Sequence, residues 1–315
     1  MTTTPFDDLP SPGQCTPIAV LTLRLLADLQ QWTRAVNLHG TPVEAMAITA
    51  ATISPWRSAD ELRLTTHMYA WTYALDNHVE RDVTDLAALD KLLRHCAGIV
   101  RNGRYDGDQP LLTALAQWQR ELSQQRLHPP LSDLWVNKVD LALRGIRYDW
   151  TTGRARRDGH GSTDVREYLD HADSVLVWMA DFARWATYLD TDLLDRLDVL
   201  VPARDDVVVA IRLANDLATY SWERTEHGQN NILMYGVTPD WVRAEMRSSA
   251  DSARRRLAVL TAAGYPPAVE LIRQLDWALS FYAQADFRGW GSDVPSDKRH
   301  TEADLSRPCA GETYG

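Results

Sequence analysis

Lysine and cysteine are scarce in this chain. Lys91, Lys138 and Lys298 are its three lysines and Cys15, Cys96 and Cys309 its three cysteines, out of 315 residues. With so little lysine and a formal charge of −10, it lacks the clustered basic residues that nucleic-acid binding rests on, so no nucleic-acid partner is expected. An odd, widely spaced set of cysteines excludes a disulfide framework and a Cys-rich zinc site. None of the nine histidines has the spacing of His-Glu-x-x-His. No apolar run approaches the roughly 18 to 20 residues that cross a bilayer, so no membrane span is expected. The start, Met1-Thr-Thr-Thr-Pro-Phe-Asp-Asp, has no basic region followed by an apolar one, which predicts a soluble cytoplasmic protein. Strand-like alternation is nearly absent, and there is no internal repeat or heptad pattern.

What the chain has is helix-forming sequence cut by turns such as His39-Gly-Thr-Pro42, His128-Pro-Pro130, Gly159-His-Gly161 and Gly264-Tyr-Pro-Pro267. Between turns, apolar residues recur at three and four, as in Leu21, Leu25, Leu29, Trp32 and Val36. This spacing predicts an all-α fold with helices near 15–37, 58–80, 84–101, 109–126, 131–150, 163–189, 204–226, 238–263 and 266–287. Ser58, Thr84, Ser132, Thr163 and Thr238 are the expected N-caps. Residues 1–14 read as a flexible start, 15–290 as one domain, and the polar stretch 291–315 as a flexible tail or a lid ordered by ligand.

Chemistry concentrates in two places. Asn215, Thr219 and Glu223 stand at steps of four in Asn-Asp-Leu-Ala-Thr-Tyr-Ser-Trp-Glu, which puts three oxygen donors on one helix face. Asp76 and Glu80 form a second such pair, in Trp71-Thr-Tyr-Ala-Leu-Asp-Asn-His-Val-Glu80. Two helices that offer oxygen donors suit magnesium, which completes its shell with water and substrate phosphate, and so imply a phosphorylated small molecule. No Ser-His-Asp or Cys-His arrangement competes with this reading. His78 falls inside the first motif but lies about half a turn from the face of Asp76 and Glu80.

These motifs resemble those of the bacterial class I terpene synthases. That family has an Asp-rich segment after an apolar, Trp-containing helix, followed by Asn-Asp-x-x-Ser/Thr-x-x-x-Glu. Asn215, Asp216, Thr219 and Glu223 match the second motif at every defining position. Gly228, Asn230 and Asn231 match a downstream Gly and Asn, and Arg288-Gly-Trp290 keeps the Arg of a terminal Arg-Tyr pair. The similarity runs over about residues 15 to 290. It implies a single-domain helical bundle around a central cavity, in which three magnesium ions on Asp76, Glu80, Asn215, Thr219 and Glu223 draw pyrophosphate from a prenyl diphosphate. Asp76, Asn215, Thr219 and Glu223 are then the catalytic set. Arg224 and Arg288, with Asn77, would meet the diphosphate, since Arg suits bidentate phosphate contacts. The allylic cation left behind needs a dry cavity with aromatic faces, for which Tyr69, Tyr73, Trp178, Phe182, Trp277 and Phe281 are candidates, each also a plausible core residue.

The chain departs from the family pattern at three positions near the diphosphate. Ala172 stands where the family carries a diphosphate-sensing Arg, after Tyr168-Leu169; Trp222 precedes Glu223 in place of Lys or Arg; and Asn77 replaces the second Asp. A stiff bicyclic diphosphate needs less help in folding as it ionises than a linear one. The expectation is therefore a diterpene synthase acting on a C20 substrate of labdane type, such as copalyl diphosphate, supplied by a partner class II diterpene cyclase. Relatives also suggest a homodimer. A sesquiterpene cyclase on farnesyl diphosphate is the first alternative, and a non-catalytic helical binding protein derived from the fold is the second.

Overall fold

The computed structural model describes residues 10–226, 228–285 and 287. Among the described residues there are helices and no strands, so the all-α expectation holds. In chain order they are α1 (Pro12–Ala35), α2 (Val43–Ile53), α3 (Ala59–Arg81), α4 (Leu86–Asn102), α5 (Pro110–Ser123), α6 (His128–Arg157), α7 (Val165–Asp170), α8 (Val177–Ala186), α9 (Leu197–Glu223), α10 (Pro239–Ala262) and α11 (Pro266–Tyr282), joined in places by short 3-10 turns.

Local chemistry explains where most of these helices begin and end. Ser58 caps α3 in a reciprocal box with Glu61, and Thr238 caps α10 through the Trp241 amide. In α4, Leu89, Leu92, Leu93, Cys96, Ile99 and Val100 fall on one buried stripe, and Gly103 closes the helix at φ 65°, a backbone state that costs a glycine little. The other three expected caps are corrected. Asp85 and Asp164, each one residue later, cap α4 and α7 in place of Thr84 and Thr163. Ser132 lies inside α6, where its hydroxyl donates to the Pro129 carbonyl at 2.9 Å.

Helix α9 starts at Leu197 rather than near 204, running through Pro202, and α11 ends at Tyr282 rather than near 287; three further differences shape the interior. Helix α2 was not expected; eight of its eleven residues are buried, so it has no polar face to produce a period. Helix α6 starts early because Pro129 and Pro130 occupy its first turn, where no amide donor is needed, and it runs on to Arg157. The expected helix 163–189 is broken into α7, a 3-10 turn at Ala172–Val175, and α8, with Leu176 at φ 60°. No Gly or Pro announces the break. It is set by tertiary packing, because a Cβ on Gly145 of α6 would lie 2.9 Å from the His171 carbonyl oxygen and the Ser174 amide.

Helix α9 packs on α10 and α11, α3 on α8 and α5, and α1 on α2 and α3. Tryptophans fasten the core at both ends of their rings. Trp71 and Trp118 are buried and donate to the Leu111 and Leu64 carbonyls at 2.8 Å, and Trp135 donates to Gln119 at 3.0 Å. Trp178 and Phe182 belong here too, which corrects their expected place on the cavity wall. Trp178 is buried and donates to Asp205 at 2.9 Å, while Phe182 stacks on Trp135 at 4.8 Å. Among the described residues no helix is long and apolar enough to cross a membrane.

Candidate active site

Helices α2, α3, α6, α9 and α11, together with the α7–α8 break, surround a cavity of about 320 Å³, near the lower end of small-molecule sites. On α3 the wall is formed by Tyr69, Thr72, Tyr73, Asp76, Val79 and Glu80, the three-and-four series that ends on the first acidic pair. The neighbouring polar residues turn away. Asn77 donates its amide to the Tyr73 carbonyl at 3.1 Å, and His78 bridges Asp82 at 2.8 Å and Gln109 at 3.1 Å. Asn77, expected to meet the substrate, lies outside the cavity lining and bonds its own helix.

Facing the same cavity, α9 presents Ile211, Arg212, Asn215, Asp216, Thr219 and Glu223. Thr219 donates its hydroxyl to the Asn215 carbonyl at 2.8 Å, which leaves oxygen lone pairs available. Glu223 is buried and accepts from Asn231 at 2.8 Å; the same amide group also holds the Asp216 carbonyl at 2.8 Å. Burial first, then the neighbouring Asp216 carboxylate, push Glu223 up to about 7. Burial likewise pushes Asp216 up to about 6, against the pull of Arg212. A buried carboxylate this short of positive charge is favoured by a cation beside it. The cavity donors are hard oxygens throughout, so they fit magnesium. Among the described residues no three His, Cys, Asp or Glu side chains form a metal cage; the set relies on the Asn215 amide and Thr219 hydroxyl oxygens and on oxygens a substrate would bring.

Behind this face lies a hub built on Arg212. It donates to Tyr168 at 2.6 Å, Ser174 at 2.7 Å and the Asn230 carbonyl at 3.1 Å, and pairs with Asp149 at 3.0 Å and Asp216 at 3.6 Å. Although burial opposes it, the flanking Asp149, Tyr168 and Asp216 hold its guanidinium well above the ordinary value. The hub fastens the 3-10 break to α9, next to the position where Ala172 lacks a cationic side chain. Asn230 donates to Asp149 at 2.7 Å, and Gln229 reaches Glu80 at 3.1 Å. The 228–231 segment thereby ties both acidic faces together.

That segment reaches α6 only because Gly153 has no side chain: a Cβ there would lie 2.1 Å from the Gly228 carbonyl oxygen. Gly153→Ala is expected to push the segment outward despite its gain in helix propensity, shifting Asn230 and Asn231 from Asp149 and Glu223. A lowered Tm in a thermal melt, with turnover reduced about 10- to 100-fold as for outer partners of a metal site, is the expected result.

The remaining expectations divide. Tyr69, Tyr73 and Trp277 line the cavity. Phe281 does not; it stacks on Trp277 at 4.9 Å and Phe287 at 4.6 Å. Arg224 is exposed just beyond α9 and apart from the lining, a correction that follows from its place one step past the Glu223 face. Arg288, Trp290 and the tail fall outside the described residues. Sequence reasoning passed over Arg212, Asp149, Trp150, Arg154 and Gln274. The i, i+4 spacing of Arg212 and Asp216 was a signal for the first of these.

A helical shell around a partly aromatic cavity, with oxygen donors on two helices, has the make-up of a small-molecule site that can hold a hard cation. No family model matches the chain. It is 50% identical over 274 residues to the ent-pimara-9(11),15-diene synthase of Streptomyces sp. (strain KO-3988), covering 86% of this chain and 93% of that protein. The fold is similar to linalool/nerolidol synthase from Streptomyces clavuligerus in complex with 2-fluorogeranyl diphosphate: TM-score 0.63, 18% identity, 88% of this chain and 98% of the other. It is also similar to 2-methylisoborneol synthase from Streptomyces coelicolor A3(2) in complex with Mg2+ and geranyl-S-thiolodiphosphate, with TM-score 0.62, 15% identity, 85% of this chain and 93% of the other. The chain belongs to the bacterial class I terpene synthases. It is an enzyme, and the reading as a non-catalytic binding protein is set aside.

Proposed function

We propose that this terpene synthase is a magnesium-dependent diterpene synthase that ionises a bicyclic C20 diphosphate of copalyl type, releasing pyrophosphate and closing further rings. One observation carries the proposal: Asp76 and Glu80 of α3 and Asn215, Thr219 and Glu223 of α9 border a single cavity. Its C20 part is supported by the relative at 50% identity, whose named product is a pimara-diene. Bound magnesium supplies Lewis acidity that stabilises the departing pyrophosphate.

The chain's own residues do the rest. Asp76, Glu80, Asn215, Thr219 and Glu223 would hold the ions and so fix where the diphosphate sits. Met46 and Ile53 of α2, Ile146 of α6 and Ile211 of α9 present apolar surface that excludes water from the hydrocarbon. The faces of Tyr69, Tyr73 and Trp277 can stabilise positive charge through their quadrupoles. A bicyclic substrate requires a class II cyclase to supply it, so functional pairing with such an enzyme is part of the proposal.

Incubation with copalyl, geranylgeranyl and farnesyl diphosphates in turn, with products identified by mass spectrometry, tests it. Turnover of copalyl diphosphate, lost on adding EDTA and restored by magnesium, is expected. Turnover of geranylgeranyl diphosphate alone would refute the bicyclic substrate, and turnover of farnesyl diphosphate alone would make it a sesquiterpene cyclase.

A further inference from the structure

The cavity wall is rich in carboxylates and poor in cations. Its described lining holds Asp76, Glu80, Asp149, Asp216 and Glu223 but only two basic side chains, Arg154 and Arg212. A diphosphate brings several negative charges into this space, and charge-assisted hydrogen bonds from a guanidinium are the strong way for a protein to receive them. The two arginines differ sharply in what they have left to give.

Arg212 is spent. Its nitrogens meet Tyr168, Ser174 and the Asn230 carbonyl, and two carboxylates flank it. Arg154 is not. It donates through one terminal nitrogen to the Val83 carbonyl at 3.1 Å and lies over the Trp150 ring at 3.5 Å, two contacts that hold its position. Among the described residues it has no carboxylate partner. Burial lowers its guanidinium below the ordinary value, and the neighbouring positive Arg157 adds to the effect. Its other terminal nitrogen faces Gly228, where even a Cβ would come within 3.5 Å. The segment that carries Gly228 also contacts Glu80 through Gln229, so this arginine stands beside the acidic mouth of the site. A half-buried guanidinium held by an aromatic ring and one carbonyl, with no counter-ion among the described residues, is suited to an anion that arrives from the cavity.

We infer that Arg154 is a diphosphate-binding arginine of this site, supplying from α6 charge that Ala172 does not. The inference rests on the proposed function, because it takes the anion to be the diphosphate of the substrate. Arg154 would grip the leaving group while the oxygen donors of α3 and α9 hold the ions bridged to it. The Trp150 ring beneath the guanidinium and the Val83 carbonyl hold Arg154 in the cavity wall.

Inorganic pyrophosphate with magnesium, titrated calorimetrically into the full-length protein, tests the assignment without requiring turnover. Arg154→Gln is expected to weaken pyrophosphate binding about 10- to 100-fold, the scale of a lost hydrogen bond to a charged group. Arg157→Gln removes the same charge three residues along the helix, from an exposed side chain outside the cavity lining, and is expected to leave binding unchanged. If Arg154→Gln binds like the wild type, or both variants weaken binding equally, the assignment fails. Should Arg154→Gln not fold, Arg154→Lys replaces it: binding weakened by a few fold, through loss of the planar fork, supports the assignment, and wild-type affinity overturns it. Failure of the wild type to release pyrophosphate from any prenyl diphosphate would sink the proposed function, yet the titration would still decide whether Arg154 receives the anion.

Discussion

Glu223→Ala is expected to abolish product formation while leaving the fold as stable as the wild type or more so. The carboxylate is buried beside Asp216, the groups that hydrogen-bond to it, Asn231 and Thr219, are neutral, and the charge of Arg212 acts on it more weakly than any of these. In the absence of metal this is a cost to the folded state, since burial and the Asp216 charge outweigh the weaker pull of Arg212. Deleting it relieves that cost. Asn231 keeps its second acceptor, the Asp216 carbonyl. Loss of a metal ligand should exceed the roughly 10- to 100-fold typical of outer partners, so pyrophosphate release is expected to fall by more than about 100-fold. Asn215→Ala and Asp76→Ala are expected to lose activity likewise with their helices intact, because α9 and α3 are held by their buried faces. A Tm measured in EDTA that drops by many degrees in Glu223→Ala, or turnover within a few fold of the wild type, would contradict the assignment. Such trade-offs, in which removing a functional group steadies the fold, are common at active sites.

The parts of this site that could be read in advance share one property: they obey a local period. Asn215, Thr219 and Glu223 fall on one face because four residues make about one helical turn, and Tyr69, Tyr73, Asp76 and Glu80 follow the same rule to the same cavity. What escaped depends on packing between distant segments. The turn-like His128-Pro-Pro130 set the start of the expected helix over 131–150, whose end left Arg154 outside any element. In the structure α6 carries it to the cavity. The break at Ala172–Leu176 has no Gly or Pro of its own and is fastened by the close approach of Gly145 and the Arg212 bond to Ser174. Helix α2 supplies Met46, Thr49 and Ile53 to the cavity, but its mostly buried, β-branched sequence has no polar stripe to betray it. Trp178 and Phe182 show the same limit from the other side. Aromatic residues at helical spacing mark a buried face, and only the tertiary fold decides whether that face meets a cavity or another ring.

Under the cavity lies a second charged assembly, and Asp181→Ala is expected to be the most destabilising substitution outside the site. Asp181 is fully buried on α8 and contacts both Arg184 and Arg204, themselves buried. The Arg204 contact is an ion pair without good hydrogen-bond direction, and the Arg204 side-chain nitrogens have no hydrogen-bond partner. Burial first, then the repelling Arg184, draw the Arg204 guanidinium down to about 9. Removing Asp181 leaves two cations facing each other away from water, a loss of about 3 to 5 kcal/mol for a broken buried pair, or roughly 5 to 15 °C in Tm. Restoring apolar character should recover part of it: Arg204→Met in the Asp181→Ala background is expected to melt higher than Asp181→Ala alone, because it deletes an uncompensated charge. Arg184 also contacts Gln274, which lines the cavity, so the floor of the site is anchored to this ion cluster. Product distribution is therefore expected to broaden in Asp181→Ala at temperatures where the protein is still folded, as judged by mass spectrometry of the hydrocarbon products. A melting temperature within about 2 °C of the wild type would show that the two arginines find other anions, and would remove the cluster from any account of how this cavity keeps its shape.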